Sequence, residues 1–278
     1  MKKLFLFLLI FILMLSGCNS SKEVFTDEIF LEPTVPVNII LKASEDYSAY
    51  PNVMYGWGLK KNVNAPPEVP ENIINLTKKY NAYFLDTKEK TLYLTFDEGY
   101  ENGYTAQILD VLKENNVPAA FFITGPYLKN EKELVKRMVK EGHIVGNHSI
   151  NHPSLPSITN DDELKKEITD LNDQFKGMFG KDMKYLRPPR GEYSERTLAL
   201  TRDLGYTNVF WSFAYKDWDV NNQKGTEYAY DEIMKGVHDG AVLLLHAVSK
   251  DNANVLDSVI KDLKKQGYSF KSLDEFGK

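Results

Sequence analysis

The sequence predicts an α/β fold in which parallel strands alternate with helices that pack outside the sheet. After Lys90, short runs rich in β-branched and aromatic residues alternate with segments of helical periodicity. The chain of 278 residues is 42% hydrophobic, which is enough for one substantial core. This pattern does not by itself distinguish an open doubly wound sheet from a barrel.

The predicted strands and helices follow one another along the chain. The strands are expected at 91–96, 119–124, 143–147, 183–186, 209–212 and 241–245. The helices are expected at about 71–80, 103–115, 125–141, 194–204, 230–237 and 253–266, with a further long helix that begins at Asn160. The helix that begins near Asn160 is the clearest, because Asn160 and Glu163 have capping-box spacing and apolar residues recur every three to four positions.

The N-terminus has the pattern of a secretory leader. Lys2 and Lys3 precede an apolar run of about a dozen residues, short of the about 20 that a membrane-spanning helix needs. The run ends in Leu15-Ser16-Gly17-Cys18, which resembles the lipobox of bacterial lipoproteins. In that motif the cysteine is lipidated and becomes the mature first residue, so we expect an anchor at Cys18 on the outer face of the cell membrane. An ordinary secreted protein with an incidental cysteine is the alternative.

The chain is therefore divided into four parts. We expect residues 1–17 to form the signal peptide, 18–50 a tether and extended arm, 51–88 an N-terminal extension packed on the main domain, and 89–278 the main α/β domain. Cys18 is the only cysteine, which excludes an intramolecular disulfide. Removal of Lys2 and Lys3 with the leader takes the formal charge from −5 to −7, and an acidic surface argues against nucleic acid as a partner.

Chemically active side chains fall where predicted strands end, which is where α/β folds place their sites. Asp97 and Glu98 follow the first strand, His148 and His152 follow the third, and His246 ends the last. Two histidines at i, i+4 with a carboxylate from another strand are the usual components of a catalytic zinc site. A solvated histidine pair in a polar loop is the alternative.

A second group of candidates lies in two loops. The segment Tyr185–Gly191 carries Arg187 and Arg190 among two prolines and a glycine, so this loop must be stiff. Two guanidinium groups on a stiff loop suit binding of a carboxylate. The backbone N–H groups of the same loop suit binding of an oxyanion. Solvated arginines in a surface turn are the alternative. Asp217 and Trp218 supply a further acid and an aromatic wall.

Together these motifs resemble the five ordered motifs of the polysaccharide deacetylases with the NodB homology domain. The motifs are Thr95–Gly99, His148–His152, Arg187–Gly191, Asp217-Trp218 and Leu243–His246, and the resemblance runs from about Lys90 to Phe276. Finer details, including Tyr55–Gly58 and Asn221–Gly225, are similar to the branch of delta-lactam-biosynthetic de-N-acetylases that act on muramic acid in spore peptidoglycan.

The resemblance implies a distorted (β/α) barrel of the NodB type with a groove at the carboxyl ends of the strands. It implies that Asp97 is the general base, His246 the general acid, Arg187 the residue that orients the base, and Asp217 the acid that sets the charge of His246. It also implies a divalent metal, Zn²⁺ by its ligand types, and substrate contacts in the groove. The implied metal ligands are Glu98, His148 and His152, and the implied substrate contacts are Arg190, Trp218 and Tyr100.

Two departures from the family pattern stand out. Glu98 is one methylene longer than the aspartate that most relatives carry, and Ala214 stands where many have a further acid. The function implied is a lipid-anchored, metal-dependent de-N-acetylase of peptidoglycan that removes acetyl groups from N-acetylmuramic acid in muramic δ-lactam formation of the spore cortex. The expected partners are glycan strands and, through Cys18, the membrane, with no obligate protein partner.

Alternatives to this function come from two classes. One is a deacetylase of GlcNAc-containing wall polysaccharide or an O-acetyl esterase. The other is a catalytically silent wall-binding lipoprotein, against which the complete set of Asp97, His148, His152 and His246 argues, because a groove that only binds has no need of it.

Overall fold

The computed structural model of the protein describes residues 46–278. The predicted leader, the predicted anchor residue Cys18 and most of the predicted tether lie outside the described residues. Within 46–278, no helix has both the length and the apolar character needed to cross a membrane.

One curled, parallel sheet of eight strands positions the site. Its order is β7-β5-β4-β3-β2-β9-β8, and β10 also pairs with β2. These strands are β2 Thr91–Glu98, β3 Ala119–Ile123, β4 Ile144–Asn147, β5 Tyr185–Leu186, β7 Thr207–Asn208, β8 Phe213–Ala214, β9 Ala241–His246 and β10 Ser269–Phe270; a separate antiparallel pair is formed by β1 Tyr55–Gly56 and β6 Glu192–Tyr193. The predicted α/β fold with a distorted barrel is confirmed.

Eight helices accompany the strands in the described chain. They are α1 Glu71–Lys79, α2 Thr105–Glu114, α3 Gly125–Asn130, α4 Lys132–Lys140, α5 Asp161–Phe179, α6 Glu195–Asp203, α7 Thr226–Gly236 and α8 Lys250–Lys265. The start of α5 is as predicted, because the Asn160 side chain accepts the backbone N–H groups of Asp162 and Glu163. α8 begins three residues before its predicted start, because Ser249 caps it by accepting the N–H of Asn252.

The central strand β2 separates two apolar layers. Leu92, Leu94 and Phe96 belong to the large core that the helices cover, whereas Tyr93 belongs to a smaller cluster on the other face, inside the barrel. Successive side chains of a strand point to opposite faces, so the side chains of Asp97 and Glu98, which follow Phe96, also point to opposite faces. Asp97 continues the inner face and Glu98 continues the outer one.

The segment 209–212, predicted as a strand, instead crosses between β7 and β8. Its backbone N–H groups change partner along the segment: Val209 donates to Leu186 of β5, Phe210 to Tyr83, and Ser212 to Val242 of β9. In a regular strand, alternate N–H groups bond the same neighbour, whereas here Phe210 and Ser212 bond different ones. The segment therefore links the two ends of the curled sheet and makes the barrel irregular.

Residues before β2 pack on the loops at one end of the barrel. The Trp57 ring stacks on Phe210 with ring centroids 4.2 Å apart, and its Nε1–H donates to the Trp211 carbonyl at 2.8 Å. The packed chain begins before residue 50, the predicted end of the tether, because Tyr47 is buried and its backbone N–H donates to Asp161 at 3.3 Å.

Candidate active site

A groove of about 1000 Å³ lies at the carboxyl ends of the central strands. Seven of the predicted site residues line it, and one of them, Tyr100, has about half of its surface exposed. The other six are Asp97, His148, His152, Arg190, Trp218 and His246. Arg187 and Asp217 lie buried directly behind them, and Glu98 is the one predicted site residue in the described chain that points elsewhere.

Asp97 is held by an ion pair with Arg187. The guanidinium is fully buried and donates from Nη1 to Asp97 Oδ1 at 2.7 Å, from Nη2 to Thr95 Oγ1 at 2.8 Å, and from Nε to the Val209 carbonyl at 3.0 Å. Burial works to raise the pKa of the Asp97 carboxyl, but the charge and hydrogen bond of Arg187, together with the nearby His148 and His246, outweigh it and the pKa lies below its ordinary value. Asp97 is therefore an ionised, oriented carboxylate.

His246 is paired with Asp217 in the same manner. Its Nδ1 lies 2.7 Å from Asp217 Oδ1, and its backbone N–H donates to Oδ2 at 2.9 Å. Because a carboxylate accepts the Nδ1 proton, Nε2 is the nitrogen left to the groove. Burial works to lower the pKa of His246, but the charge and hydrogen bond of Asp217, together with the charge of Asp97, outweigh it and raise the pKa above the ordinary value.

The register of the sheet sets these two pairs beside each other. Asp97 is the direct partner of His246 in the parallel ladder of β2 and β9. Neighbouring strands lie about 4.8 Å apart, so a carboxylate and an imidazole share one edge of the groove. The Trp218 ring stands next to His246, with ring centroids 5.6 Å apart, and about half of its surface is exposed to the groove.

The two remaining histidines face Asp97 from the loop after β4. His148 Nδ1 bonds the Arg187 carbonyl at 2.8 Å, and Nε2 lies 3.5 Å from Asp97 Oδ2. Burial lowers the pKa of His148 to about 4 and also lowers the pKa of His152, so both rings are neutral at pH 7. Their ring centroids are 4.7 Å apart. The loop does not form a helical turn, because Ser149 and His152 have positive φ angles of 64° and 59°.

The structure places Glu98 differently from the sequence prediction. Glu98 is the last residue of β2 and still pairs with Ile123 of β3, so its side chain follows the strand alternation into the outer core, away from the groove. It is fully buried, and within the described chain neither carboxylate oxygen has a hydrogen-bond partner. Burial raises its pKa well above the usual value, with smaller contributions from Glu101 and Asp97.

The predicted metal-ligand set is consequently not assembled. His148 and His152 present neutral imidazoles, which suit a divalent cation, but the third predicted ligand lies on the opposite face of β2. Over residues 46–278, no group of three His, Cys, Asp or Glu side chains is arranged to hold a metal ion. The residues as placed therefore do not fit the predicted three-ligand site.

The loop that carries Arg190 combines a stiff backbone with an exposed cation. Arg190 has a φ of 59°, an uncommon value for a residue with a side chain, and Gly191 follows with a φ of 67°. A Cβ on Gly191 would approach Trp211 to 2.7 Å and Trp57 to 3.0 Å, so glycine is required there. The Arg190 side chain is exposed and lines the groove near His152.

Three residues near the site were not predicted from the sequence. Tyr215 and Lys61 line the groove, and Asn252 hydrogen-bonds Asp217 at 2.6 Å. Tyr215 could have been found by its position two residues before Asp217, since alternate residues of an extended segment share a face. Lys61 lies in the N-terminal extension, where no sequence signal connects it to the groove.

Known proteins resemble this chain in sequence and in fold. A family model described as polysaccharide deacetylase matches residues 85–209. PdaA of Bacillus subtilis (strain 168), a peptidoglycan-N-acetylmuramic acid deacetylase, is 53% identical over 230 residues, which span 82% of this chain and 87% of that protein. An uncharacterized 30.6 kDa protein of Geobacillus stearothermophilus is 56% identical over 222 residues, which span 79% and 83% of the two chains.

The solved structure of Bacillus subtilis PdaA, described as a family 4 carbohydrate esterase, has a TM-score of 0.79 at 50% identity. It covers 81% of this chain, and the match covers 97% of that one. The protein therefore belongs to the polysaccharide deacetylase family, and it is a hydrolase of that class.

Proposed function

We propose that the protein removes the acetyl group from N-acetylmuramic acid residues of peptidoglycan, as the sequence resemblance implies, in muramic δ-lactam formation of the spore cortex. The observation that carries the proposal is the pairing of Asp97 with His246 across β2 and β9, each held by its own buried partner of opposite charge. The name of the relative that is 53% identical supports muramic acid as the sugar.

Amide hydrolysis needs a base for water and an acid for the departing amine. Asp97 accepts a proton from the water whose oxygen attacks the acetyl carbon. When the carbon–nitrogen bond breaks, His246 donates its Nε2 proton to the amine nitrogen, which leaves acetate and a free amine. Arg187 favours the ionised form of Asp97 and Asp217 favours the protonated form of His246, which are the forms that the reaction requires.

The choice of sugar is assigned to Arg190. Muramic acid differs from GlcNAc by a lactyl ether, whose carboxylate is free once the stem peptide has been removed. Arg190 offers an exposed guanidinium on a stiff loop beside the groove, and such a group binds a carboxylate through charge-assisted hydrogen bonds. Lys61 and Lys216 line the same groove, which suits an anionic substrate.

Metal dependence and lipid anchoring are further parts of the proposal. For metal dependence, His148 and His152 supply two neutral imidazoles to the groove, and these are the side chains proposed to hold a divalent ion. Leu15-Ser16-Gly17-Cys18 supports an anchor on the outer face of the membrane. The anchor is tested by Cys18→Ser, which should release the protein from membranes or leave its leader uncleaved. Unchanged membrane association of Cys18→Ser would contradict the anchor.

Acetate release from defined glycans tests the proposed activity. The full-length protein, purified in detergent, is given peptide-free muramyl glycan strands and, separately, GlcNAc oligomers, and acetate is measured over time. We expect release from the muramyl strands at a much higher kcat/KM than from the oligomers. Release from the GlcNAc oligomers alone would support the wall-polysaccharide alternative, and release from neither would support a silent binding protein.

A further inference from the structure

We propose that Asn252 is a positioning residue for the acid His246, that it acts through Asp217, and that Tyr215 fixes the orientation of its amide. This inference rests on the proposed role of His246 as the proton donor. It extends that role to two side chains which do not belong to the acid–base pair itself and which lie on other elements of the fold.

Asn252 is in the first turn of α8 and is 1% exposed. Its amide Nδ2 donates to Asp217 Oδ2 at 2.6 Å and to the His246 carbonyl at 3.2 Å. Both amide protons are therefore used, one on the carboxylate and one on the backbone of the histidine that this carboxylate holds. The Asn252 backbone N–H donates to Ser249 Oγ at 3.2 Å, so the cap of α8 fixes the position of the residue.

Tyr215 determines which way the amide faces. Its hydroxyl is buried beside the groove and donates to Asn252 Oδ1. If the Asn252 amide were rotated, its acceptor Oδ1 would face the Asp217 carboxylate and the His246 carbonyl, which are acceptors too. Its donor Nδ2 would then face the Tyr215 hydroxyl, which is itself a donor here. The donors and acceptors are all satisfied in one orientation only, and a satisfied buried network holds its members in place.

These contacts fix the orientation of the Asp217 carboxylate towards the His246 ring. Its side chain is fully buried, and Oδ2 is shared by the Asn252 amide and the His246 backbone N–H. The other oxygen, Oδ1, is thereby aimed at the His246 Nδ1. The carboxylate cannot rotate without losing two N–H donors. Asn252 thus keeps the imidazole in the tautomer that presents Nε2 to the groove.

A second set of bonds joins α8 to the loop of Asp217. Gln223 Nε2 donates to the Asp217 carbonyl at 3.0 Å, and Ser249 Oγ donates to Gln223 Oε1 at 2.6 Å. The backbone of Asp217 and the cap of α8 are therefore held together independently of the Asn252 side chain. A change at Asn252 should alter the carboxylate more than it alters the backbone.

Three charged groups act on the His246 ring. Asp217 from the loop after β8 and Asp97 from β2 favour the imidazolium, while Arg187 from the loop after β5 opposes it. The Trp218 ring lies against the imidazole and carries no charge. Asp217 is the partner in direct hydrogen-bond contact, so a carboxylate free to rotate would favour the imidazolium less.

The test replaces Asn252 with leucine, which keeps the volume and removes the amide. In Asn252→Leu we expect kcat to fall about tenfold, short of the about 10²–10⁴-fold that a proton donor itself contributes, with little change in KM. The alkaline limb of the pH profile should move to lower pH. The matched control is Asn254→Leu, two residues further along α8 and exposed, which should retain the wild-type profile.

A measurement without substrate separates this inference from the proposed activity. The full-length protein labelled with ¹³C-histidine is titrated by NMR, and the His246 signal is identified by its absence in His246→Gln. We expect the His246 pKa to be lower in Asn252→Leu than in Asn254→Leu and wild type. An unchanged pKa in folded Asn252→Leu would overturn the inference, whatever the substrate proves to be.

Tyr215→Phe provides the second variant if circular dichroism shows that Asn252→Leu does not fold. It removes only the hydroxyl that holds the amide, so the same changes should appear in the same direction, with about a threefold loss of kcat, as expected for one neutral hydrogen bond. Wild-type kcat and an unchanged His246 pKa in Tyr215→Phe would then overturn the inference.

Discussion

Arg187 and Asp97 form an ion pair inside the barrel, with Nη1 and Oδ1 2.7 Å apart and the guanidinium fully buried. Two charges removed from water cost several kcal/mol each, and their attraction compensates only while both are present. The pair is therefore a strict structural requirement as well as the feature that keeps Asp97 ionised.

Loss of one partner of this pair should destabilise the fold. In Arg187→Met the Asp97 charge is left buried without a partner, and we expect the free energy of unfolding to fall by about 3–5 kcal/mol. Arg137→Met, which breaks ion pairs on the surface, should cost about 1 kcal/mol or less. Urea unfolding measures both. Adding Asp97→Asn to Arg187→Met should recover part of the loss, and equal losses in the Arg187 and Arg137 variants would contradict the prediction.

The acid and the base should each be essential for turnover. Asp97→Asn and His246→Ala should lower kcat by about 10²–10⁴-fold, because each removes a proton-transfer group. Asp110→Asn, on the surface of α2, is the control and should keep wild-type kcat. Acetate release gives the rates and circular dichroism confirms folding. A variant at either site that kept more than about a tenth of kcat would lack the assigned role.

The pH dependence should follow from the two shifted groups. The pKa of Asp97 is lowered, so the base stays ionised at mildly acid pH; the pKa of His246 is raised, so the acid stays protonated further into the alkaline range than an ordinary histidine. Asp217→Asn removes the carboxylate responsible for the second shift. The alkaline limb of kcat/KM should then move to lower pH while the acid limb stays in place. An unmoved alkaline limb would separate Asp217 from the acid.

Arg190 should control the choice between muramyl and GlcNAc substrates. A charge-assisted hydrogen bond contributes about 1.5–3 kcal/mol, or roughly ten- to a hundredfold in kcat/KM. We expect Arg190→Ala to lose this factor on peptide-free muramyl strands and much less on GlcNAc oligomers. Arg202→Ala, outside the groove, is the control. Equal losses on the two substrates would leave Arg190 a structural loop residue.

Glu98 should be dispensable for metal binding. Its carboxylate lies on the outer face of β2, so Glu98→Ala should leave the affinity for Zn²⁺ unchanged, whereas His148→Ala should weaken it. Isothermal titration of the wild type and both variants with Zn²⁺ measures this. Weaker binding in Glu98→Ala would restore Glu98 to the ligand set, as the sequence resemblance implies.

The sequence predicts well those features that depend on where strands end. Asp97, His148 and His246 lie at one edge of the sheet because parallel strands carry their carboxyl ends together. Glu98 was misplaced because β2 extends two residues further than expected: pairing with Ile123 continues the alternation through position 98, and the turn comes only at Gly99. Local residue preferences do not specify where such a ladder stops.

Long-range side-chain contacts were the least predictable part. Asn252 lies in the first turn of α8, and its contact with Asp217 depends on how α8 meets a loop 35 residues earlier in the chain. The segment 209–212 has the composition of a strand. Its backbone N–H groups bond three different neighbours in succession, and for that reason it crosses between β7 and β8 instead. Both depend on tertiary packing, which residue spacing does not encode.

The contact of Trp57 with the Arg190 loop limits how this protein can be dissected. Trp57 donates its backbone N–H to the Gly191 carbonyl at 2.8 Å and packs where a side chain on Gly191 would collide. The family match begins at residue 85, so a chain trimmed there would retain Asp97 and His246 but lose the contact of Trp57 with the Arg190 loop. We expect the trimmed chain to be impaired in substrate selection more than in bond cleavage. Chimaeras between family members should therefore exchange the N-terminal extension and this loop as one unit.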